Sequence, residues 1–355
     1  MFGSCLSIAN VCTQLGRVLT NCIPGLALYN FEKNSFFDPS LEQYAFIDID
    51  APVGFFYGIP DQIPESFFQH PFTIGGFVCE TNRIHNSWTE MCNKLDLVIV
   101  PSTFCQQAFY RSGVITPVMV VPHGLEPEYA PLITKERSEP FIFYNTFDSG
   151  SFTKRKSAEE LVRCFLDAFD RRPGIVLRLR TQLSPDIISL QQRYDFGSVI
   201  WIDQLNAVST KDFARIYSEV HCTVHPSKGE GFGLIPFQSI ACETPVIAPC
   251  STGMADYLND SNAMCVRVGP SVKGEGVGNQ AGTYFSVDER HLTELLRYAF
   301  DNWEGEYEKL VIASPSFRSR YSWEKVLAGL VDTLNRIIGT ENLDVIRRDL
   351  ADELL

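Results

Sequence analysis

No apolar run in the chain approaches the roughly 20 residues that a bilayer-spanning helix needs. The first stretch, MFGSCLSIANVCTQLGRVL, has no basic segment ahead of its apolar residues, which argues against a secretory leader and for a cytoplasmic chain. There is no C-x-x-C pair and no Cys/His spacing of the zinc-finger kind, so neither a disulfide framework nor a metal site is indicated. The eleven cysteines are scattered and read as buried free thiols, since Cys packs as a small hydrophobe. Positive charge is also scarce: 30 Lys and Arg face 43 Asp and Glu, for a net charge of −13. Nucleic acids and anionic membranes are held by Lys and Arg, so this balance gives no strong signal for either partner. Internal repeats and low-complexity tracts are missing as well.

What is present is an ordinary globular composition, 45% hydrophobic and 21% charged, over 355 residues. Single cores stop growing beyond roughly 250–300 residues, so two domains are expected. Short β-rich runs alternate with helical stretches. In the first third, YAFIDID (44–50), FTIGGFVCE (72–80), LDLVIVPS (95–102) and VMVVPHG (118–124) read as strands. The segment 103–113 reads as a helix that Ser102 caps and Gly113 ends. The stretch 130–140, with two prolines and mixed charges, reads as a linker.

A second alternating series follows. Its first helix, 157–170, carries Leu161, Phe165 and Phe169 in one row and Val162 and Leu166 in the next, the 3.6-residue period. Strands are expected at 174–180, 198–202, 220–227 and 245–249. Strands alternating with helices imply parallel sheets covered on both faces, hence an α/β chain of two Rossmann-like domains. In such sheets ligands bind at the carboxyl ends of strands, where strand order reverses. A cleft between two such domains is the natural place for chemistry.

The most informative stretch is HPSKGEGFGLIPFQSIACETPVIAP, residues 225–249. It reads as a strand end, a Gly-rich turn, a helix with Pro236 in its first turn, and another strand. Gly229, Gly231 and Gly233 allow a ligand to approach the backbone closely. The helix start offers unpaired N–H groups and a positive dipole end, which suit a diphosphate. Glu230 could accept hydrogen bonds from sugar hydroxyls, and Gln238, eight residues on, could reach a ribose. His221 and His225 read as packed or edge residues of one strand, since two His alone do not make a metal site.

This segment resembles the donor-site motif of family 4 retaining glycosyltransferases. In that motif a Pro-Ser pair precedes Glu-Gly-Phe-Gly-Leu, and a second Glu follows eight residues after the first. Pro226, Ser227, Glu230, Gly231, Phe232, Gly233, Leu234 and Pro236 match, as do Ala241, Cys242 and Thr244 to Ile247. Two positions depart: Gln238 stands where the second Glu is usual, and Glu243 where a small Gly is usual. A Gln can still donate and accept, but loses the charge-assisted part of such bonds.

The resemblance implies a GT-B fold, two Rossmann-like domains facing each other across a cleft. It implies an acceptor-side domain over 1–131, a nucleotide-sugar domain over 132–318, and C-terminal helices over 319–355 that pack back across the boundary. Residues 143–169 resemble the opening of the family's C-terminal domain, where an Arg-Lys pair precedes a helix ending in Ala-Phe. Arg155 and Lys156 would bind the diphosphate, stabilising the charge that the leaving group gains. Glu230 would orient the sugar; Gly231, Phe232, Gly233, Leu234 and Gln238 would line the donor site. Gly3 and Ser4 lie where the family has a Gly-rich loop, although the chain starts almost at that loop and lacks the family's first strand. Glu80 and His123, at strand ends, are acceptor-side candidates.

The expected activity is retaining, metal-independent transfer from a nucleotide sugar, which is a co-substrate and not a cofactor. The acceptor is left open among glycan, small molecule, protein and nucleic acid, and the oligomeric state is left open too. A non-catalytic nucleotide-sugar-binding protein is the alternative, motivated by Gln238.

Overall fold

The computed structural model of the protein describes residues 6–28, 38–45, 51–147, 154–204, 209–274 and 280–355. It divides into two compact units: Met1–Gly124 with Tyr321–Leu355, and Leu125–Arg320. Among the described residues no helix is long and apolar enough to cross a membrane.

The first unit opens with helix α1 (Leu6–Cys22) and continues through strands β1 (Val53–Gly58), β2 (Phe72–Phe77) and β3 (Arg83–Ile84). Helix α2 (Asn86–Cys92), strand β4 (Leu97–Val100), helix α3 (Thr103–Arg111) and strand β5 (Val118–Val120) follow. β1, β2, β4 and β5 form a parallel sheet in that order. All four residues of β4 are buried, the continuous apolar run that a doubly covered parallel strand requires. Ser102 caps α3 by accepting from Cys105 N at 3.2 Å, and Gly113 supplies the left-handed turn after it, φ +94°. The strand expected over 44–50 falls mostly outside the described residues. Tyr44 closes a 3-10 turn (Pro39–Tyr44), Ala45 bridges to Leu28, residues 46–50 are not described, and among the described residues the sheet begins at Val53.

The second unit runs through β6 (Phe141–Thr146), α4 (Ala158–Phe169), β7 (Ile175–Thr181), α5 (Pro185–Tyr194), β8 (Ile200–Gln204) and α6 (Thr210–Glu219). It continues with β9 (Cys222–Val224), α7 (Leu234–Ala241), β10 (Val246–Ala248), β11 (Met264–Cys265), β12 (Val268–Lys273), β13 (Gln280–Ala281) and β14 (Thr283–Val287). Helices α8 (Glu289–Asp301) and α9 (Trp303–Arg320) complete it. The chain then re-enters the first unit as α10 (Trp323–Ile338) and α11 (Leu343–Leu354). On α10, Trp323, Leu327, Leu330, Leu334 and Ile337 repeat at helical spacing, and all are buried with Val11, Leu15, Phe72 and Ile74.

The large sheet has the order β11-β10-β9-β6-β7-β8, with every pairing parallel. From β6 the chain winds outward to β8, then returns to place β9 on the other side of β6. The order therefore reverses between β6 and β9. In α4, Leu161, Val162, Phe165 and Phe169 are buried against Phe141, Phe143 and Leu177, with Leu166 partly buried beside them. Each such side chain stabilises by about 1.5–3 kcal/mol on full burial.

The stretch 130–140 lies in the second unit and is anchored by a buried lysine. Lys135 Nζ donates to Tyr217 O (2.6 Å), Val220 O (2.9 Å) and Thr244 Oγ1 (2.5 Å). Three acceptors match the three N–H groups of an ammonium, while burial pulls the amine down to about 7. Cysteine usage departs from expectation in one place: Cys250 and Cys265 are paired as a disulfide. Parallel pairing of Ala248 with Cys265 brings the two side by side. Seven of the other described cysteines are buried free thiols, and Cys22 is an exposed one.

Candidate functional site

The segments that follow β6 and β9 leave the large sheet at its switch point, and both carry charge. The turn after β6 holds Arg155 and Lys156; the turn after β9 holds Glu230. Lys228 N donates to Arg155 O at 2.9 Å, tying the two turns together. Lys228 Nζ reaches Glu160 Oε1 on α4 at 2.7 Å, and Phe285 N of β14 donates to Lys228 O at 3.1 Å. Arg155 Nη1 donates to Gly229 O at 2.7 Å and stands 3.3 Å from Glu230 Oε1. Lys156 Nζ donates to the same oxygen.

Glu230 is 7% exposed and Arg155 6%. Burial alone would raise the Glu230 carboxyl, but Lys156, Arg155 and a bond from His225 hold it well below the usual carboxylate range. It is therefore ionised at neutral pH. His225 Nε2 lies 3.0 Å from Glu230 Oε1, so His225 is not merely a packed strand residue. His221 is: it stacks on Phe141 at 4.5 Å, and its Nδ1 accepts from Ile142 N at 3.0 Å. The two histidines flank β9 instead of lying within it.

The Gly-rich turn rests on the segment after β10. Gly253 N donates to Glu230 O at 2.9 Å, and Glu230 N donates to Thr252 Oγ1 at 3.2 Å. Gly233 caps α7 at φ +88°, and a Cβ there would come within 2.6 Å of Met254 Cγ. Tyr257 donates its hydroxyl to Gly233 O. Phe232 turns inward, 4.8 Å from Phe237 and 5.2 Å from Tyr257 between ring centroids. Its side chain anchors the turn. Helix α7 begins at Leu234, and the N–H groups of its first turn have no helical acceptor.

Gln238 is buried on α7, where its Oε1 accepts from Tyr217 OH at 3.1 Å. Glu243, the other departure from the family pattern, sits at φ +57° just beyond the helix. That conformation suits glycine, yet here the carboxylate accepts from Ser314 Oγ at 2.7 Å and lies 3.6 Å from Arg318 Nη1. These contacts offset the strain and fasten α9 to α7.

Arg155, Lys156 and Glu230 thus meet, with Gly231, Gly233 and Leu234 in the same turn. Glu80 and His123 lie in the first unit. Glu80 is half-buried in a bend after β2. His123 is buried, with Nε2 2.9 Å from Tyr57 OH, and burial pushes it down to about 3, so it is neutral. Gly3 and Ser4 lie outside the described residues. Among the described residues, no group of three or more His, Cys, Asp or Glu is placed to hold a metal ion.

Two further features were not read from the sequence. One is the Thr252–Gly253 support, whose contacts with Glu230 are far away in sequence. The other is a set of buried polar atoms at or beyond the ends of β6 and β7: Asn145 Oδ1, Thr181 Oγ1 and Ser157 Oγ have no hydrogen-bond partner among the described residues. Polar residue types at strand ends of an open α/β sheet are the signal that could have marked them.

Comparison with known proteins agrees with this architecture. Residues 209–330 match a family model described as family 4 glycosyltransferase in conflict systems. A protein provisionally named glycosyltransferase 45, from Sulfolobus islandicus filamentous virus, is 23% identical over 336 residues, 86% of this chain and 86% of its own. Among solved structures, sucrose-phosphate synthase from Thermosynechococcus elongatus superposes with a TM-score of 0.60 at 17% identity, over 81% of this chain and 74% of its own. Anabaena HepE, solved with UDP and glucose, gives 0.57 at 13% identity, over 76% and 74%. By sequence the chain is glycosyltransferase family 4-like, and its fold is GT-B.

Proposed function

We propose that the chain transfers a sugar from a nucleoside-diphosphate sugar to an acceptor, with retention of anomeric configuration and without a metal. The observation that carries this reading is the convergence of two cations and one ionised carboxylate at the switch point of the large sheet. The diphosphate would lie against Arg155, Lys156 and the N-terminus of α7, which together stabilise the leaving group as its charge grows. In the structure both cations contact Glu230 Oε1, so a bound diphosphate would share them with that carboxylate. Glu230 would hold sugar hydroxyls, and Gln238 would face the ribose with Tyr217 behind it. The leaving phosphate itself would take the acceptor's proton, as the resemblance to family 4 glycosyltransferases implies. HepE was solved with UDP and glucose, which supports UDP-sugars as the first donors to try. Eight of the ten described cysteines form no disulfide, which supports a cytoplasmic location against the one pair, Cys250–Cys265.

Gln238 in place of a second carboxylate favours one other reading, a protein that binds nucleotide sugars without turning them over. A thermal-shift screen of the full chain against UDP-, GDP-, ADP- and CMP-sugars tests the shared part of both. A donor at about 100 times its dissociation constant should stabilise by roughly 2.7 kcal/mol. No shift with any of the four would overturn both readings. Slow release of the nucleoside diphosphate without acceptor then separates enzyme from binder.

A further inference from the structure

His225 occupies the first position after β9, and its backbone N–H donates to Ile247 O at 2.8 Å, so the main chain is still held by the sheet. Its side chain is 2% exposed, and Nε2 lies 3.0 Å from Glu230 Oε1. An ionised carboxylate can only accept, so the proton between them resides on Nε2. Burial disfavours the imidazolium and lowers the His225 pKa despite the opposing pull of Glu230. At neutral pH the ring is therefore uncharged and protonated at Nε2.

The contacts on Glu230 are distributed unevenly. His225, Lys156 and Arg155 all converge on Oε1. Oε2 takes no hydrogen bond from the described residues and is not among the buried unpartnered atoms. The protein's contacts thus gather on one oxygen, Oε1. Of the three groups on Oε1, two are cations that a diphosphate would attract. The neutral imidazole has no such attraction and remains with the carboxylate when a donor enters.

We infer that His225 is a positioning residue, which through an Nε2–H bond to Oε1 keeps the Glu230 carboxylate oriented toward the donor sugar while Arg155 and Lys156 are drawn to the phosphates. This rests on the donor-site reading above. The chain's reaction sees His225 only through Glu230, so its loss should depress turnover and spare the binding of a nucleotide that has no sugar.

The test compares wild type, His225→Leu and His225→Gln in the full chain. It reads kcat for nucleoside-diphosphate release from UDP-, GDP- and ADP-sugars, and calorimetric affinity for the corresponding bare diphosphate. Leu fills the space without a donor, whereas the Gln side-chain amide reaches about as far as imidazole Nε2. A hydrogen bond to a charged group corresponds to a factor of about 10 to 100, so His225→Leu should lower kcat by that factor. His225→Gln should recover most of the loss, and both variants should bind the bare diphosphate within about twofold of wild type. Equal kcat for the Leu and Gln variants would overturn the inference, as would a parallel loss of diphosphate affinity. Wild-type chain that releases no diphosphate from any of the three sugars would overturn the catalytic reading itself, and the inference with it. Should His225→Leu fail to fold, the Gln variant decides alone: it must keep at least a tenth of wild-type kcat.

Discussion

Replacing Gly253 with Ala adds a single methyl group at the place where the Gly-rich turn meets its support. A Cβ built there lies 2.1 Å from Gly231 O, 2.4 Å from Gly231 C and 2.8 Å from Glu230 O. All three neighbours are backbone atoms, so no side chain can rotate away. Relief requires the Thr252–Gly253 and Glu230–Gly231 segments to separate by about an ångström. That movement strains or breaks the bond from Gly253 N to Glu230 O (2.9 Å) and the bond from Glu230 N to Thr252 Oγ1 (3.2 Å). Overpacking and two weakened hydrogen bonds together cost about 2–4 kcal/mol. If Glu230 holds the sugar as proposed, displacing its carboxylate by that distance should lower turnover about a hundredfold. Gly329 provides the control: it is exposed within α10, and its Cβ would meet nothing within 4 Å. There Ala should stabilise by about 0.5–1 kcal/mol, the ordinary helix preference. Thermal unfolding and diphosphate release, measured on both variants, give the answer. A Gly253→Ala protein with wild-type melting temperature and turnover would refute the reasoning.

Three further outcomes follow from the same geometry. Replacing Arg155 and Lys156 together with Ala should weaken bare diphosphate binding at least about tenfold, since charge-assisted bonds are the strong ones; unchanged affinity in calorimetry removes them from the site. Below pH 6.5 the unfolded chain takes up a proton at His123 that the folded chain, with this group near 3, does not. Stability present above pH 6.5 is therefore lost as pH falls, by about 1 kcal/mol at pH 5.5, and His123→Gln should flatten that part of the profile. An unchanged slope contradicts it. Glu243→Ala and Glu243→Gly both lose Ser314 and Arg318, but Gly tolerates φ +57°, so the Gly variant should be more stable than the Ala variant by about 1 kcal/mol. Equal denaturant midpoints would show that the backbone carries no strain there.

Much of the large sheet was legible because its signals are local. The row Leu161, Phe165, Phe169 declares α4 by its period, and the motif around Glu230 lies within one strand-turn-helix. Arg155 and Lys156 were legible by resemblance, and the switch between β6 and β9 then gives a physical reason for their meeting Glu230. What stayed hidden depends on contacts across the chain. His225 sits in an apolar strand pattern that reads as packing, and only the fold of the turn returns Glu230 to its ring. Thr252 and Gly253 look like an ordinary loop until the parallel pairing of β9 and β10 sets them beneath that turn. Lys135 lies among prolines and charges, and its burial depends on carbonyls at the end of α6 and just beyond it. The disulfide between Cys250 and Cys265 requires β10 and β11 to be neighbours, which spacing alone does not reveal.

Glu230→Gln tests the central claim most directly, because it keeps the size of the side chain and removes the charge around which Arg155, Lys156 and His225 gather. The measurement is paired: kcat for diphosphate release from the donor sugar, and affinity for the bare diphosphate by calorimetry. An interaction made with the reacting sugar lowers kcat, whereas a uniform contact raises KM. If Glu230 holds the sugar, turnover should fall by about tenfold or more, while the bare diphosphate binds as well as before or better, with Arg155 and Lys156 released to it. A variant with wild-type turnover, or one that loses diphosphate affinity in proportion to its turnover, would contradict the placement of the sugar at this carboxylate.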